Sequence, residues 1–262
     1  MATNGLTDND RREIPKDLAS SERLHAAEEL SQIMETIRTD FDVQFDPLHV
    51  DGRTLQVLSI CNMQTYIDKL IGHKAVHNPL KDLPLWAKIW PGSFVLGRFL
   101  RKYEPDGKTL LELGAGCGVL SMIAAGYGFS RIVLTEKVKE ALLFAKANVL
   151  RNELQDIIDV AYLDITTPGK NSRYAQGFDR IAASEILYLD ELHRPLIKFI
   201  QRHLAPGGKA FFCTDMARNK PSFATLAAKH FKVTEGHIGV KAHDDENKEQ
   251  RRIYSILILE QA

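Results

Sequence analysis

Long apolar runs are missing from this 262-residue chain. No stretch approaches the roughly 20 apolar residues of a membrane span, and the first residues are polar where a secretory signal would carry its apolar core. An excess of one charge is missing too, with Lys plus Arg and Asp plus Glu at 34 each. Such balance leaves no global field to draw the chain onto nucleic acid or an anionic membrane. Cysteine is scarce: Cys61, Cys117 and Cys213 are odd in number and far apart, so neither a disulfide framework nor a thiolate metal site is expected. No metal-ligand pairing is read from the nine histidines, and no metal is expected. A serine nucleophile elbow and a lysine-bearing phosphate loop are both absent, which removes the common hydrolase and nucleotide triphosphatase readings. Without repeats or long low-complexity tracts, a solenoid or disordered scaffold is excluded. A soluble cytoplasmic protein of one domain, with room for an appendage, is the simplest account.

What the chain does have is the stretch Thr109 to Ser121, TLLELGAGCGVLS. Its first residues are a short apolar run, as in a strand buried on both faces of a parallel sheet. Gly114, Ala115, Gly116, Cys117 and Gly118 then turn the chain into an apolar helix. Glycine lets a ligand lie against the backbone, and the helix start offers unpaired N–H groups. A dinucleotide site would put a third glycine three positions after the second; here Val119 stands there, which disfavours NAD. A second strand, Arg131 to Thr135, ends at Glu136, at the spacing of roughly 20 residues where a ribose-binding acid belongs.

Taken together, ELGAGCG and VLTEK resemble the seven-strand, S-adenosylmethionine-dependent methyltransferases. The resemblance implies an α/β, Rossmann-like class I fold: a seven-stranded, mostly parallel sheet with an antiparallel final strand. It also implies S-adenosyl-L-methionine as cofactor, held by Gly114, Ala115, Gly116, Gly118 and Glu136.

Residues 1–20 are polar and expected to be a flexible tail. A helix is expected from Ser21, then a hairpin over Phe45 to Ile60 around Asp51-Gly52, which favours a type I′ turn, then a second helix over Asn62 to Gly72. Residues 21–79 thus form a helix and hairpin extension to a methyltransferase domain over 80–262. Asn148 and Asn152, on the helix after Glu136, are read as surface or capping groups.

Both tryptophans lie in LPLWAKIWPGSFVLGRFL, with Ser93 placed to cap the helix that follows. W-A-x-x-W-P ahead of the glycine turn resembles the family-16 protein-lysine methyltransferases, and that likeness puts Trp90 beside the cofactor. Trp86 is balanced between cofactor and core. The same class places the acid after the third strand, Asp164, near the adenine amino group. Many members carry tryptophan next, whereas this chain has Ile165.

The fourth strand, Phe178 to Ser184, ends in Glu185-Ile186-Leu187-Tyr188. Ligands of open α/β sheets sit at the carboxyl ends of the strands, so Ser184 is expected at the cofactor and Glu185 and Tyr188 at the reacting amine. The family's acid-x-x-Tyr motif usually begins with Asp. SEILY has none of the prolines of the Asn-Pro-Pro-Tyr motif used on adenine or glutamine nitrogens, which argues against those substrates. Methylation of a protein lysine is the leading expectation. Methylation of a small amine, or a cofactor-binding subunit without turnover, stays open, as does the oligomeric state.

Overall fold

A computed structural model describes residues 16–72, 83–167, 177–218, 221–243 and 249–261. The first helix, α1 (Lys16–Asp40), begins five residues ahead of the expected Ser21; the rest of the expected tail, and the boundary near residue 79, lie outside the described residues. The hairpin β1 (Val43–Val50) and β2 (Arg53–Ile60) turns at Asp51 and Gly52, both with positive φ, as a type I′ turn demands. Helix α2 (Met63–Gly72) follows.

The main domain opens with α3 (Pro91–Leu100), β3 (Thr109–Leu113), α4 (Val119–Ala124), β4 (Arg131–Glu136), α5 (Lys139–Arg151) and β5 (Ile158–Tyr162). It closes with β6 (Phe178–Ser184), α6 (Asp190–His203), β7 (Leu204–Asp215), α7 (Pro221–Ala227), β8 (Phe231–His243) and β9 (Glu249–Gln261). Seven strands form one sheet in the order β5-β4-β3-β6-β7-β9-β8. Those from β3 to β7 pair in parallel, and β9 runs antiparallel to β7 and β8. The strand order reverses between β3 and β6, and in such sheets the crevice beyond the carboxyl ends at that reversal is the ligand site.

Each sheet face has its own core, because alternate strand residues point to opposite sides. Leu110, Ile132, Ala182 and Phe211 pack with α3, α4 and α5, while Leu111, Val133, Ile181 and Phe212 pack with α6 and α7. A third cluster joins Met34 and Ile37 of α1, Phe41 just beyond its end, Leu58 and Ile60 of β2, and Phe144 and Ala147 of α5.

The hairpin attachment corrects one expectation. Asn148 is fully buried; Leu58 N–H donates to its Oδ1 at 2.7 Å, and its Nδ2 donates to the Cys117 carbonyl at 2.8 Å. Asn152 caps α5 as expected, its Nδ2 donating to the Asn148 carbonyl at 2.7 Å, and it also accepts the Gln56 N–H and donates to the Gln56 carbonyl. An edge strand must place its outer N–H and C=O groups somewhere, and the two amides, one turn apart on α5, receive them. A second correction concerns Ser93. Helix α3 begins at Pro91, whose missing N–H costs nothing at that position, so Ser93 falls inside the first turn and caps nothing.

Candidate active site

At the carboxyl end of β3 the chain turns through Gly114, Ala115, Gly116, Cys117 and Gly118 into α4. Gly116 has φ of 55°, and a Cβ there would stand 2.7 Å from the Trp86 carbonyl oxygen, so only glycine fits. Glu112 fastens the turn from below. Fully buried, it accepts the N–H of Ser121 at 3.0 Å and the Ser121 hydroxyl, and burial lifts its carboxyl pKa to about 8.

Glu136, at the end of β4, is buried, and its carboxylate accepts three backbone N–H groups. Gly116 donates to one oxygen at 3.1 Å; Lys137 and Val138 donate to the other at 2.6 and 3.2 Å. It thereby ties the glycine turn to β4 while still lining the cavity.

That cavity, of about 690 Å³, lies over the sheet's reversal. Every site residue singled out in the sequence lines it except Gly118. Gly118 sits under the turn instead, where a Cβ would come 2.5 Å from Leu134 Cδ1, so packing by itself demands glycine there. Trp90 lines the cavity, its indole N–H donating to the Leu85 carbonyl at 2.8 Å. Trp86 presents its ring edge-on to Phe41 and Phe144 in the third core cluster while bordering the same cavity. Asp164 receives the N–H and hydroxyl of Thr166 on one oxygen, at 2.9 and 2.6 Å, and these bonds hold its pKa below the usual range.

The far wall is built from β6 and β7. Glu185 is 7 % exposed and has φ of 57°, a left-handed conformation that a residue with a Cβ rarely takes. Its N–H is fixed to the Cys213 carbonyl at 2.9 Å, and Asp215 N–H donates to its Oε1 at 3.3 Å. Burial raises its pKa, against the pull of the Arg218 guanidinium 3.1 Å from Oε2. Gly92 permits this arrangement, since a Cβ there would meet Glu185 Oε1 at 2.7 Å and Ser184 Oγ at 2.8 Å. Tyr188 is half-buried in the same wall, and burial raises its pKa too.

Sequence reasoning missed Gly92, Asp215 and Arg218. Asp215 ends β7, next to β6, so the signal that could have found it is the rule that ligands gather at strand carboxyl ends.

Comparison with known proteins settles the class. The sequence model described as lysine methyltransferase matches residues 80–229, more than half of the chain. The chain belongs to this family. Protein N-lysine methyltransferase METTL21A of Danio rerio is 30% identical over 194 residues, covering 71% of this chain and 88% of that protein. The electron transfer flavoprotein beta subunit lysine methyltransferase of Rattus norvegicus is 29% identical, with 58% of this chain and 57% of that protein covered. Among solved structures, an S-adenosylmethionine-dependent methyltransferase from Agrobacterium tumefaciens aligns with a TM-score of 0.54 at 16% identity, over 82% of this chain and 70% of that one. This last likeness speaks for the fold alone.

The protein is therefore an S-adenosylmethionine-dependent methyltransferase of the lysine methyltransferase family. The cavity fits that cofactor. It offers a glycine cradle that a Cβ would obstruct, the Glu136 carboxylate, and the Ser184 hydroxyl, which is buried without a partner among the described residues. No group of three or more His, Cys, Asp or Glu among the described residues could hold a metal ion, and no helix there is long and apolar enough to cross a membrane.

Proposed function

We propose that this enzyme methylates the ε-amine of a lysine on a protein partner, with Glu185 and Tyr188 holding the amine. The observation that carries the reading is Glu185: a buried carboxylate, kept in a left-handed conformation, facing the cavity that the glycine turn also lines. Strain of this kind persists where the surroundings enforce it, and it gathers at working sites.

Bound S-adenosylmethionine supplies an electrophilic methyl group on a sulfonium sulfur. The chain's own residues then align and dry the amine that receives it. An unperturbed lysine has a pKa of about 10.4, so roughly one amine in a thousand is free base at neutral pH. Glu185 receives the ammonium as a counter-charge, and its burial-raised pKa makes it a better proton acceptor than an exposed glutamate. Tyr188, kept protonated by burial, offers a hydroxyl that orients the nitrogen.

In this reading Glu136 takes the ribose hydroxyls, Gly114 to Gly116 lie along the cofactor chain, and Asp164 takes the adenine amino group. Trp90 and Ser184 border the sulfur end. Balanced charge and three unpaired cysteines support a cytoplasmic setting and a partner other than nucleic acid. The test is incubation with methyl-labelled cofactor and a cell lysate, followed by mass spectrometry of the labelled species. Label on a lysine side chain of a protein is expected. Label confined to small metabolites would overturn the assignment.

A further inference from the structure

Arg218 enters the cavity from the helical turn Met216–Arg218 that follows β7. Its Nη2 lies 3.1 Å from Glu185 Oε2 and 3.6 Å from Asp215 Oδ2, and its Cζ lies 5.0 Å from the centroid of the Trp90 ring. Two carboxylates and an indole face around one positive charge make a site suited to an organic cation. The same indole has Lys88 Nζ at 5.0 Å, so it already serves as a cation platform. Glu185 Oε2 is the atom an acceptor ammonium would seek, and the guanidinium stands on it.

We infer that the Arg218 guanidinium occupies the subsite of the acceptor ammonium, and that an incoming lysine must displace it. The inference rests on the reading of Glu185 as the acceptor's counter-charge. The exchange conserves charge, because one cation leaves as another arrives, so the buried Glu185 and Asp215 are not left uncompensated. Arg218 has somewhere to go: its side chain is 37% exposed and rides on a three-residue turn. Displacement also filters substrates. A free amine brings little beyond its charge and competes poorly with a tethered guanidinium, whereas a lysine on a docked protein brings the docking contacts as well.

The test follows tryptophan fluorescence of the full-length protein, loaded with S-adenosylhomocysteine, as guanidinium chloride or dimethylammonium chloride is added below unfolding concentrations. Arg218→Ala and Arg218→Gln are expected to show a saturable change at a concentration at least tenfold lower than wild type, and Trp90→Phe added to either is expected to abolish it. The inference is overturned if the variants, folded by circular dichroism and still binding cofactor, titrate like wild type. It is equally overturned if neither variant folds, because Arg218 is then a structural strut. The readout needs no turnover. A cation response in a protein that methylates no lysine would count against the acceptor assignment alone; methylation without the response would count against displacement alone.

Discussion

At the cofactor end of the cavity the protein satisfies its own polar groups. Glu136 accepts three backbone N–H groups, and Glu112 takes both the N–H and the hydroxyl of Ser121. At the acceptor end Glu185 holds a left-handed backbone, its Oε2 faces the Arg218 guanidinium at 3.1 Å, and the Ser184 hydroxyl at the border between the two ends is buried without a partner among the described residues. A fully bonded network is rigid, while an unsatisfied one holds polarity that a ligand or a rearrangement can meet. In the proposed reading the first end holds one fixed molecule, and the second receives and releases another.

That contrast breaks most visibly at Glu136. Glu136→Ala removes a carboxylate that braces the glycine turn and, in the proposed cofactor pose, faces the ribose, so calorimetry with S-adenosylhomocysteine is expected to show at least a 100-fold loss of affinity, about 3 kcal/mol. A loss below tenfold would mean that the turn holds itself and the acid is incidental. At the other end, Glu185→Gln is expected to cut kcat by about 100-fold and Tyr188→Phe by about tenfold, with the cofactor Kd within about threefold of wild type. Cofactor affinity falling in step with turnover would erase the division between the two ends.

The smallest effect concerns pH. Burial holds Glu112 protonated in the folded protein up to about pH 8, whereas an ordinary glutamate ionises near 4.5. Between those values folding takes up a proton, so the contribution is complete below the lower pKa and is lost as pH rises through the upper one. Urea unfolding of wild type should lose stability from about pH 5 to 8 relative to Glu112→Gln, whose curve should be flatter. Equal slopes would show Glu112 ionised, and the cofactor end less dry than described.

The same contrast explains what could be read from the chain. The glycine turn and Glu136 are legible because β3, the turn and β4 are consecutive, and a nucleoside site fixes their spacing. The α/β order and the hairpin turn at Asp51-Gly52 are legible for the same local reason. The acceptor wall depends on β6 lying beside β7 with Ser184 opposite Cys213, and on Gly92 admitting Glu185; those distances are long in sequence and short in space. Asn148 escapes a local reading on similar grounds. A buried amide that completes a distant strand edge has the same local pattern as a solvated one, and only the position of β2 tells them apart.

The central claim is the orientation of the cofactor across the sheet's reversal. A structure of the complex with S-adenosylhomocysteine tests it most directly. The account predicts ribose hydroxyls on Glu136, adenine toward Asp164, and the sulfur facing the wall that carries Glu185 and Tyr188. A nucleoside turned end for end, with adenine against Tyr188 and the sulfur away from Glu185, would contradict it.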